Sequence, residues 1–416
     1  VALINREVVP AIGCTEPIAV ALCVAKATEI LGTEPERIVA RLSANILKNA
    51  MGVGIPGTGM IGLPIAIALG ALIGKSAYRL EVLRDVDAEA VARGKRYVDE
   101  KRITIGLKEG IEEKLYIEIE AAAGDHTAVA VIAGGHTNFV FEARDGQSQL
   151  DQRGASAGEE EQNGPALSLR RVYDFAMTTP LDELRFILET RRLNKAAAEQ
   201  SFKGDYGHCL GKTLRHDREL KVLGDSVFLR MLSYTSAACD ARMAGAMIPV
   251  MSNSGSGNQG ITCSVPLIEY AKELHSGKEK LYRALIISNL VAIHEKTGIG
   301  TLSAYCGAVS AGAGAGAGIV YLCGDGYQAA IHTVVNALAI VSGIVCDGAK
   351  ASCAAKIASS VDAALLGYNM YKCNQEFKGG DGIVMKDIET TIKGIGRLGK
   401  DGMRQTNEEI IRLMMS

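Results

Sequence analysis

Tryptophan is absent from this chain, and aromatic residues of all kinds reach only 5% of its 416 positions. That excludes a core organised around large rings. With 47 glycines and 48% hydrophobic residues, the core has to be built from Ala, Gly, Ile, Leu and Val. Such side chains let helices approach closely. An excess of one charge is lacking too. The 45 basic and 47 acidic residues are interleaved and leave a net charge of −2. No basic stripe is available to neutralise phosphates, so nucleic acid is excluded as a partner and a small-molecule substrate is expected. The opening residues, Val1-Ala2-Leu3-Ile4-Asn5-Arg6-Glu7, have neither the basic start nor the apolar run of a signal peptide. A cytoplasmic location is therefore expected. Ten cysteines in such a chain point to thiols, metal or catalysis rather than to a disulfide framework.

Long apolar runs are few. Residues 303–323 carry no charge, and 327–345 carry none apart from His332. Each has about the length of a membrane span. The first, however, alternates Gly312, Gly314, Gly316 and Gly318 with alanine, and the second contains Gln328, His332 and Asn336. Both are expected to be buried small-residue core, with no membrane partner.

The length exceeds what one core comfortably organises. Residues 1–76 read as helical, interrupted by Gly52-Val53-Gly54-Ile55-Pro56-Gly57-Thr58-Gly59, which must be a loop and could be approached closely by another backbone. A helix is expected to open at Glu16-Pro17. Residues 77–160 change character. Tyr78 to Leu83 alternates polar and apolar, 87–101 reads as a charged helix, and strands are expected near 103–105, 115–120, 127–132 and 138–142. Residues 146–165, rich in Gly, Ser, Gln and Glu, look like a loose linker. From 161 to 416 the pattern is helical, interrupted at 252–260 and closed by an amphipathic stretch at 387–415. The expected fold is α+β: a mainly helical, Gly/Ala-rich catalytic core with a small inserted α/β domain.

Chemistry-bearing residues concentrate in a few places. Cys346 and Cys353 lie seven apart around Asp347-Gly348-Ala349-Lys350, a spacing unlike the closer pair of a zinc knuckle. Cys306 follows a helix end at Thr297-Gly298-Ile299-Gly300. Three thiolates with an open fourth position would suit an iron–sulfur cluster; three small buried hydrophobes are the alternative. Cys14 sits at the start of the expected helix, where the dipole favours thiolate, so it is either a base or nucleophile, or an inert cap.

Gly13-Cys14-Thr15-Glu16-Pro17, the loop Ser254-Gly255-Ser256-Gly257-Asn258-Gln259-Gly260 followed by Ile261-Thr262-Cys263, and Cys346-Asp347-Gly348-Ala349-Lys350 with Cys353 together resemble the L-cysteine desulfidase family. That family is related to the α domain of iron–sulfur L-serine dehydratases, and the likeness runs through the whole chain. The resemblance implies a [4Fe–4S] cluster on three cysteines, the last two seven apart and the first forty upstream. These positions map to Cys306, Cys346 and Cys353. It also implies that Cys14 is the catalytic cysteine, taking the substrate's α-proton while the cluster acts as Lewis acid to the leaving sulfur. The products would be pyruvate, ammonia and hydrogen sulfide.

Ser254, Ser256, Asn258 and Gln259 offer groups for an amino-acid carboxylate, or form a plain turn. Gly134-Gly135-His136-Thr137-Asn138 resembles a Ser-His-Thr element that binds serine in the dehydratases, which makes His136 and Asn138 candidates for substrate contact. Lys350 is a candidate to balance cluster charge, Cys263 a bystander close to the site, and His294 and His332 structural residues. Two rivals stand beside the desulfidase: an L-serine dehydratase with the same cluster, and a non-catalytic amino-acid-binding regulatory protein. A homo-oligomer is compatible with either enzyme.

Overall fold

The computed structural model describes residues 1–111, 113–153, 166–215, 224–300 and 302–415. The architecture is α+β with a mainly helical core. One six-stranded sheet runs in the order β3-β2-β4-β5-β6-β7, with β2 Arg37–Leu42, β3 Ile103–Leu107, β4 Tyr116–Ala123, β5 His126–Ala133, β6 Phe139–Arg144 and β7 Gln147–Asp151. β2 pairs parallel with β3; the other neighbours are antiparallel.

Alternation along the strands separates two faces. Ile38, Ala40 and Leu42 of β2 and Ile117, Ile119 and Ala121 of β4 are fully buried, in one apolar cluster with the helix Thr15–Leu31, which lies on β4. The opposite face carries a charge ladder, in which Arg41 bonds Glu118 at 2.9 Å and Glu120 at 3.2 Å, and Lys108 bonds Glu118 at 2.7 Å. The charged helix expected at 87–101 is present as Ala88–Asp99, started by Asp87, whose side chain accepts the Ala90 N–H at 2.8 Å.

Three local expectations change. Residues 1–76 are not wholly helical, because the sheet takes its second strand, β2, from them; Ile38, Ala40 and Leu42 bury one face in the apolar cluster shared with the first long helix, and β2 pairs with β4. The alternating stretch at 78–83 forms part of a 3-10 turn, Ser76–Glu81, rather than a strand. The stretch read as a linker contains β7, held to β6 through Arg144↔Gln147 and Ala143↔Ser148. Residues 154–165, where the expected boundary of the inserted domain falls, lie outside the described residues.

The helical body centres on Gly307–Cys323, packed among Gly257–Glu273, Lys278–Ile299, Tyr327–Ile340 and Cys353–Lys372. Its glycines face two ways. Gly314 and Gly318 lie against the Lys278–Ile299 helix, where an added Cβ would stand 2.4 Å from the Ser288 carbonyl oxygen and 2.9 Å from that of Ala284. Gly312 and Gly316 lie against Cys353–Lys372, at 2.5 Å from the Ser360 carbonyl oxygen and 2.9 Å from the Ala364 Cβ. The expectation of buried small-residue core holds for this segment. No helix among the described residues is long and apolar enough to cross a membrane.

Two small pairings position the chemistry. β1, Pro10–Ile12, runs antiparallel to β8, Pro249–Met251, and so brings the residues before Cys14 beside those before the 252–260 loop. An isolated antiparallel bridge joins Tyr305 to Val345. The flanking bonds are Cys306 N–H to the Ile344 carbonyl at 2.9 Å and Cys346 N–H to that of Ala304 at 2.7 Å. Cys306 and Cys346, distant in sequence, are held side by side by backbone alone.

Candidate active site

Cys306 caps the N-terminus of the Gly307–Cys323 helix, and Cys353 begins Cys353–Lys372. Cys346 lies in the loop between the helices Tyr327–Ile340 and Cys353–Lys372. All ten cysteines are free thiols. The Cys306 and Cys346 side chains share a hydrogen bond. This bond, together with the Lys48 and Lys296 ammonium groups, pulls the Cys346 thiol well below its ordinary range against the effect of burial. The same bond to Cys346, followed by burial, drives Cys306 upward. Cys353 Sγ lies 3.6 Å from the Gly348 carbonyl oxygen, and burial raises its pKa.

Gly348 has a structural duty. Its φ is +95°, and a Cβ there would stand 2.3 Å from the Lys48 carbonyl oxygen. Only glycine supplies that backbone and that approach, so the cysteine loop can lie directly on the helix Ala44–Ala50. The Gly52–Gly59 loop, expected to be approached by backbone, is so approached: a Cβ on Gly54 would meet Ala244 at 2.3 Å.

Lys48 and Asn49 join two halves of the site. Lys48 Nζ donates to the Cys346 carbonyl at 3.2 Å and to Asn407 Oδ1 at 2.7 Å. Burial lowers its pKa, while Cys346, Asp347 and Cys306 act to raise it. Asn49 Nδ2 donates to Glu16 Oε1 at 3.1 Å. Glu16 Oε2 in turn accepts from the Cys14 thiol at 2.9 Å. Cys14 also belongs to the same small apolar cluster as Val53, Cys239, Ile261 and Ala308, against which Cys306 and Cys353 pack.

Cys14 caps the helix Thr15–Leu31 as expected, but the expected easy thiolate is not found. The thiol is 3% exposed, and burial, then the Glu16 charge, drive its pKa well above the ordinary value. Arg242, whose guanidinium lies at 2.9 Å from the Gly13 carbonyl and at 3.0 Å from Asn258 Oδ1, opposes this only in part. Desolvation of a charge outweighs a helix dipole here.

The other expected residues divide. Asn258 is held by Arg242 and by Met243 Sδ at 3.4 Å. Gln259 is buried, its Oε1 without a hydrogen-bond partner, and packs where a Cβ on Gly307 would touch its Cδ at 2.5 Å. It therefore lies next to Cys306. Ser256 caps Gly257–Glu273, accepting the Gln259 N–H. Ser254 bonds Asn253 Oδ1 at 2.9 Å. His136 Nε2 stands 4.0 Å from Glu16 Oε1. Asn138 is exposed and folds back on its own loop, donating to the Ala133 carbonyl at 2.9 Å, so it is not brought to the site. Lys350 pairs with Asp347 at 3.7 Å; the ammoniums that act on Cys346 are Lys48 and Lys296. Cys263 faces the Ala311 carbonyl at 4.0 Å in a separate core cluster. His294 and His332 pair with Glu389 at 2.7 Å and Glu376 at 2.6 Å.

Glu16, Lys48, Asn49, Arg242 and Lys296 were not singled out from sequence. A lysine and two asparagines inside Ala44-Asn45-Ile46-Leu47-Lys48-Asn49-Ala50 were the available signal, since polar groups on so short an apolar helix need partners.

Among the described residues no group of three or more His, Cys, Asp or Glu side chains converges tightly enough for a single metal ion. A cluster places its thiolates farther apart than one ion does. Three free thiols from separate segments, with the Lys48 and Lys296 ammonium groups acting on Cys346, fit the donor set and charge that an anionic cluster requires.

Nearby, Glu295 is 1% exposed and neither carboxyl oxygen has a hydrogen-bond partner. Burial raises its pKa well above the usual carboxylate value. The fold therefore holds this proton to higher pH than the unfolded chain does, so Glu295 costs stability as pH rises above the ordinary glutamate range. Glu295→Gln should therefore melt above the parent protein at pH 8, with the difference vanishing near pH 4 in scanning calorimetry. An equal difference at both pH values would contradict a neutral Glu295.

Residues 77–412 match the family described as serine dehydratase alpha chain. The chain belongs to that family, whose description makes this a serine dehydratase-like protein. It is 59% identical over 415 residues to a UPF0597 protein of Phocaeicola vulgatus, covering all of this chain and 96% of that one. A UPF0597 protein of Bacteroides fragilis is 58% identical over 414 residues, covering 100% and 97%. One from Desulfitobacterium hafniense is 45% identical over 417 residues, covering 100% and 96%.

Proposed function

We propose that this protein is a cytoplasmic lyase that eliminates sulfide from L-cysteine. The observation that carries this reading is the packing of Cys14, Cys306 and Cys353 into one small apolar cluster, tied through Lys48 and Asn49 to Cys346. A potential base thus stands beside a potential iron site. Cys306, Cys346 and Cys353 would hold a [4Fe–4S] cluster, which when bound supplies a Lewis acid for a poor leaving group.

The chain's own residues account for the rest. Cys14 takes the substrate's Cα proton as general base. Gln259, Asn258 and the hydroxyls of Ser254 and Ser256 are the proposed carboxylate contacts, with Gln259 best supported because it is buried beside Cys306 with its Oε1 unpartnered. The apolar cluster excludes water from Cys14. Loss of the Cα proton and of sulfide leaves aminoacrylate, which tautomerises and hydrolyses in solution to pyruvate and ammonia. Water, L-cysteine and the three products balance without an oxidant.

L-serine dehydration is the second reading, favoured by the family match; a Lewis acid held by Cys306, Cys346 and Cys353 would suit a hydroxyl leaving group as well as a thiol. The experiment is release of pyruvate and sulfide from L-cysteine, with L-serine in parallel, by anaerobically reconstituted protein. Sulfide and pyruvate in equal amounts are expected, and Cys14→Ser should lower the rate by about a hundredfold or more, the usual worth of a positioned base. Turnover of serine alone would replace the substrate. Turnover of neither, with no iron bound, would leave an amino-acid-binding protein.

A further inference from the structure

A buried thiol is a poor resting base. Cys14 is nearly inaccessible and raised in pKa, yet the proposed reaction needs it to accept a proton from carbon. The thiol already carries one proton, which must leave. Its position is visible: Cys14 Sγ donates to Glu16 Oε2 at 2.9 Å.

We propose that Glu16 is the positioning residue for Cys14: its carboxylate receives the thiol proton as sulfur takes the substrate's Cα proton. This rests on the elimination chemistry proposed above. The balance is complete. The Cα–H bond breaks and an S–H bond forms, while the original S–H bond breaks and an O–H bond forms on Glu16. The electron pair left on Cα expels the β-substituent.

The surroundings keep Glu16 ionised, so it is open to receive a proton, although it is a weaker base than an ordinary glutamate. Glu16 is 8% exposed, so burial alone would neutralise it. The His136 imidazole, the Cys14 thiol and the Asn49 amide outweigh burial and hold its carboxyl below the usual range. Lys48 adds a further cation, and Thr15 Oγ1 lies 3.4 Å from Oε2. On the other side of Cys14 the charged neighbour is Arg242. A carboxylate kept ionised in a buried pocket, aimed at one thiol, has its counter-groups on three elements: the Ala44–Ala50 helix, the loop between β5 and β6, and its own helix. His136 thereby gains a role other than substrate contact.

The test uses the full, reconstituted protein. Glu16→Gln should cut kcat by roughly a hundredfold or more at pH 7 with little change in KM, and its rate should climb with alkaline pH as Cys14 ionises unaided. Alkylation of Cys14 by iodoacetamide, read by peptide mass spectrometry without substrate, supplies a readout independent of activity. Removing the neighbouring negative charge should shift Cys14 ionisation to lower pH, so the variant alkylates faster than the parent at pH 8. The midpoint of alkylation should match that of the variant's rate profile. Glu16→Asp, which keeps the charge on a shorter arm, should restore the parent's flat neutral profile at a lower rate; it carries the test if Gln prevents folding. Unchanged alkylation and an unshifted rate profile in Glu16→Gln would overturn the proposal. An inactive parent protein would remove the elimination reading, and the alkylation profiles would still decide whether Glu16 governs the Cys14 proton.

Discussion

Cys346→Ala is expected to release iron and to lower elimination by more than a hundredfold. The basis is position. Cys346 shares a hydrogen bond with Cys306, its carbonyl anchors Lys48, and its sulfur is the group on which Lys48 and Lys296 act. Of the three thiols it is the one already drawn toward thiolate, the form that binds iron. Loss of outer-shell partners alone costs about 10–100-fold in metal affinity or activity, so loss of the ligand itself should exceed that. Iron and acid-labile sulfide content, visible absorbance and pyruvate release would be compared under anoxic conditions. Cys373→Ala, which alters an exposed thiol at the far end of the helix that Cys353 begins, should match the parent in each. Cys346→Ala protein that holds as much iron as the parent would remove this residue from the ligand set.

Gly314→Ala should lower the melting temperature although alanine is the better helix former. The propensity gain is about 1 kcal/mol. Against it stands a Cβ placed 2.4 Å from the Ser288 carbonyl oxygen and 3.3 Å from the Ala292 nitrogen. Those are backbone atoms of a packed helix and have no rotamer by which to withdraw. The two helices must move apart, and overpacking of this kind costs about 1–3 kcal/mol, with the upper part expected because the obstacle is rigid. The displacement would propagate, since the opposite face of the same helix is pressed on Ser360 through Gly312. Gly106→Ala in β3 is the control. Nothing lies within 4 Å of its added Cβ, and alanine there should be neutral or stabilising by about 0.5–1 kcal/mol. Thermal melts of both variants check the pair, and a Gly314→Ala melt at or above the parent would show that the helices part cheaply.

Much of the site was legible because it is written in local spacing. Gly13-Cys14-Thr15-Glu16-Pro17 reads as the start of a helix, and Cys14 does cap Thr15–Leu31. The 252–260 interruption reads as a loop, and Ser256 there caps Gly257–Glu273. The strands near 103, 116, 127 and 139 follow from period-two alternation. β2 was missed because Arg37-Ile38-Val39-Ala40-Arg41-Leu42 is short and joins apolar helical stretches; its partners, β3 and β4, lie more than sixty residues on. Asn138 was placed wrongly because a side chain that completes its own turn cannot be told from one that reaches out.

Composition and periodicity by themselves determined the small-residue helical core, the strand-rich stretch at 103–142, the absence of a charge pattern for nucleic acid, and the short set of thiols worth attention. Those properties depend on neighbours a few residues away. Only the tertiary structure decided the electrostatics of the site. It set the Glu16 carboxylate against the Cys14 thiol within a desolvated pocket, turned Lys350 to Asp347, and brought Lys48 and Lys296 to Cys346 instead. Charges interact through space and through whatever medium surrounds them, and neither distance nor burial is a function of position along the chain.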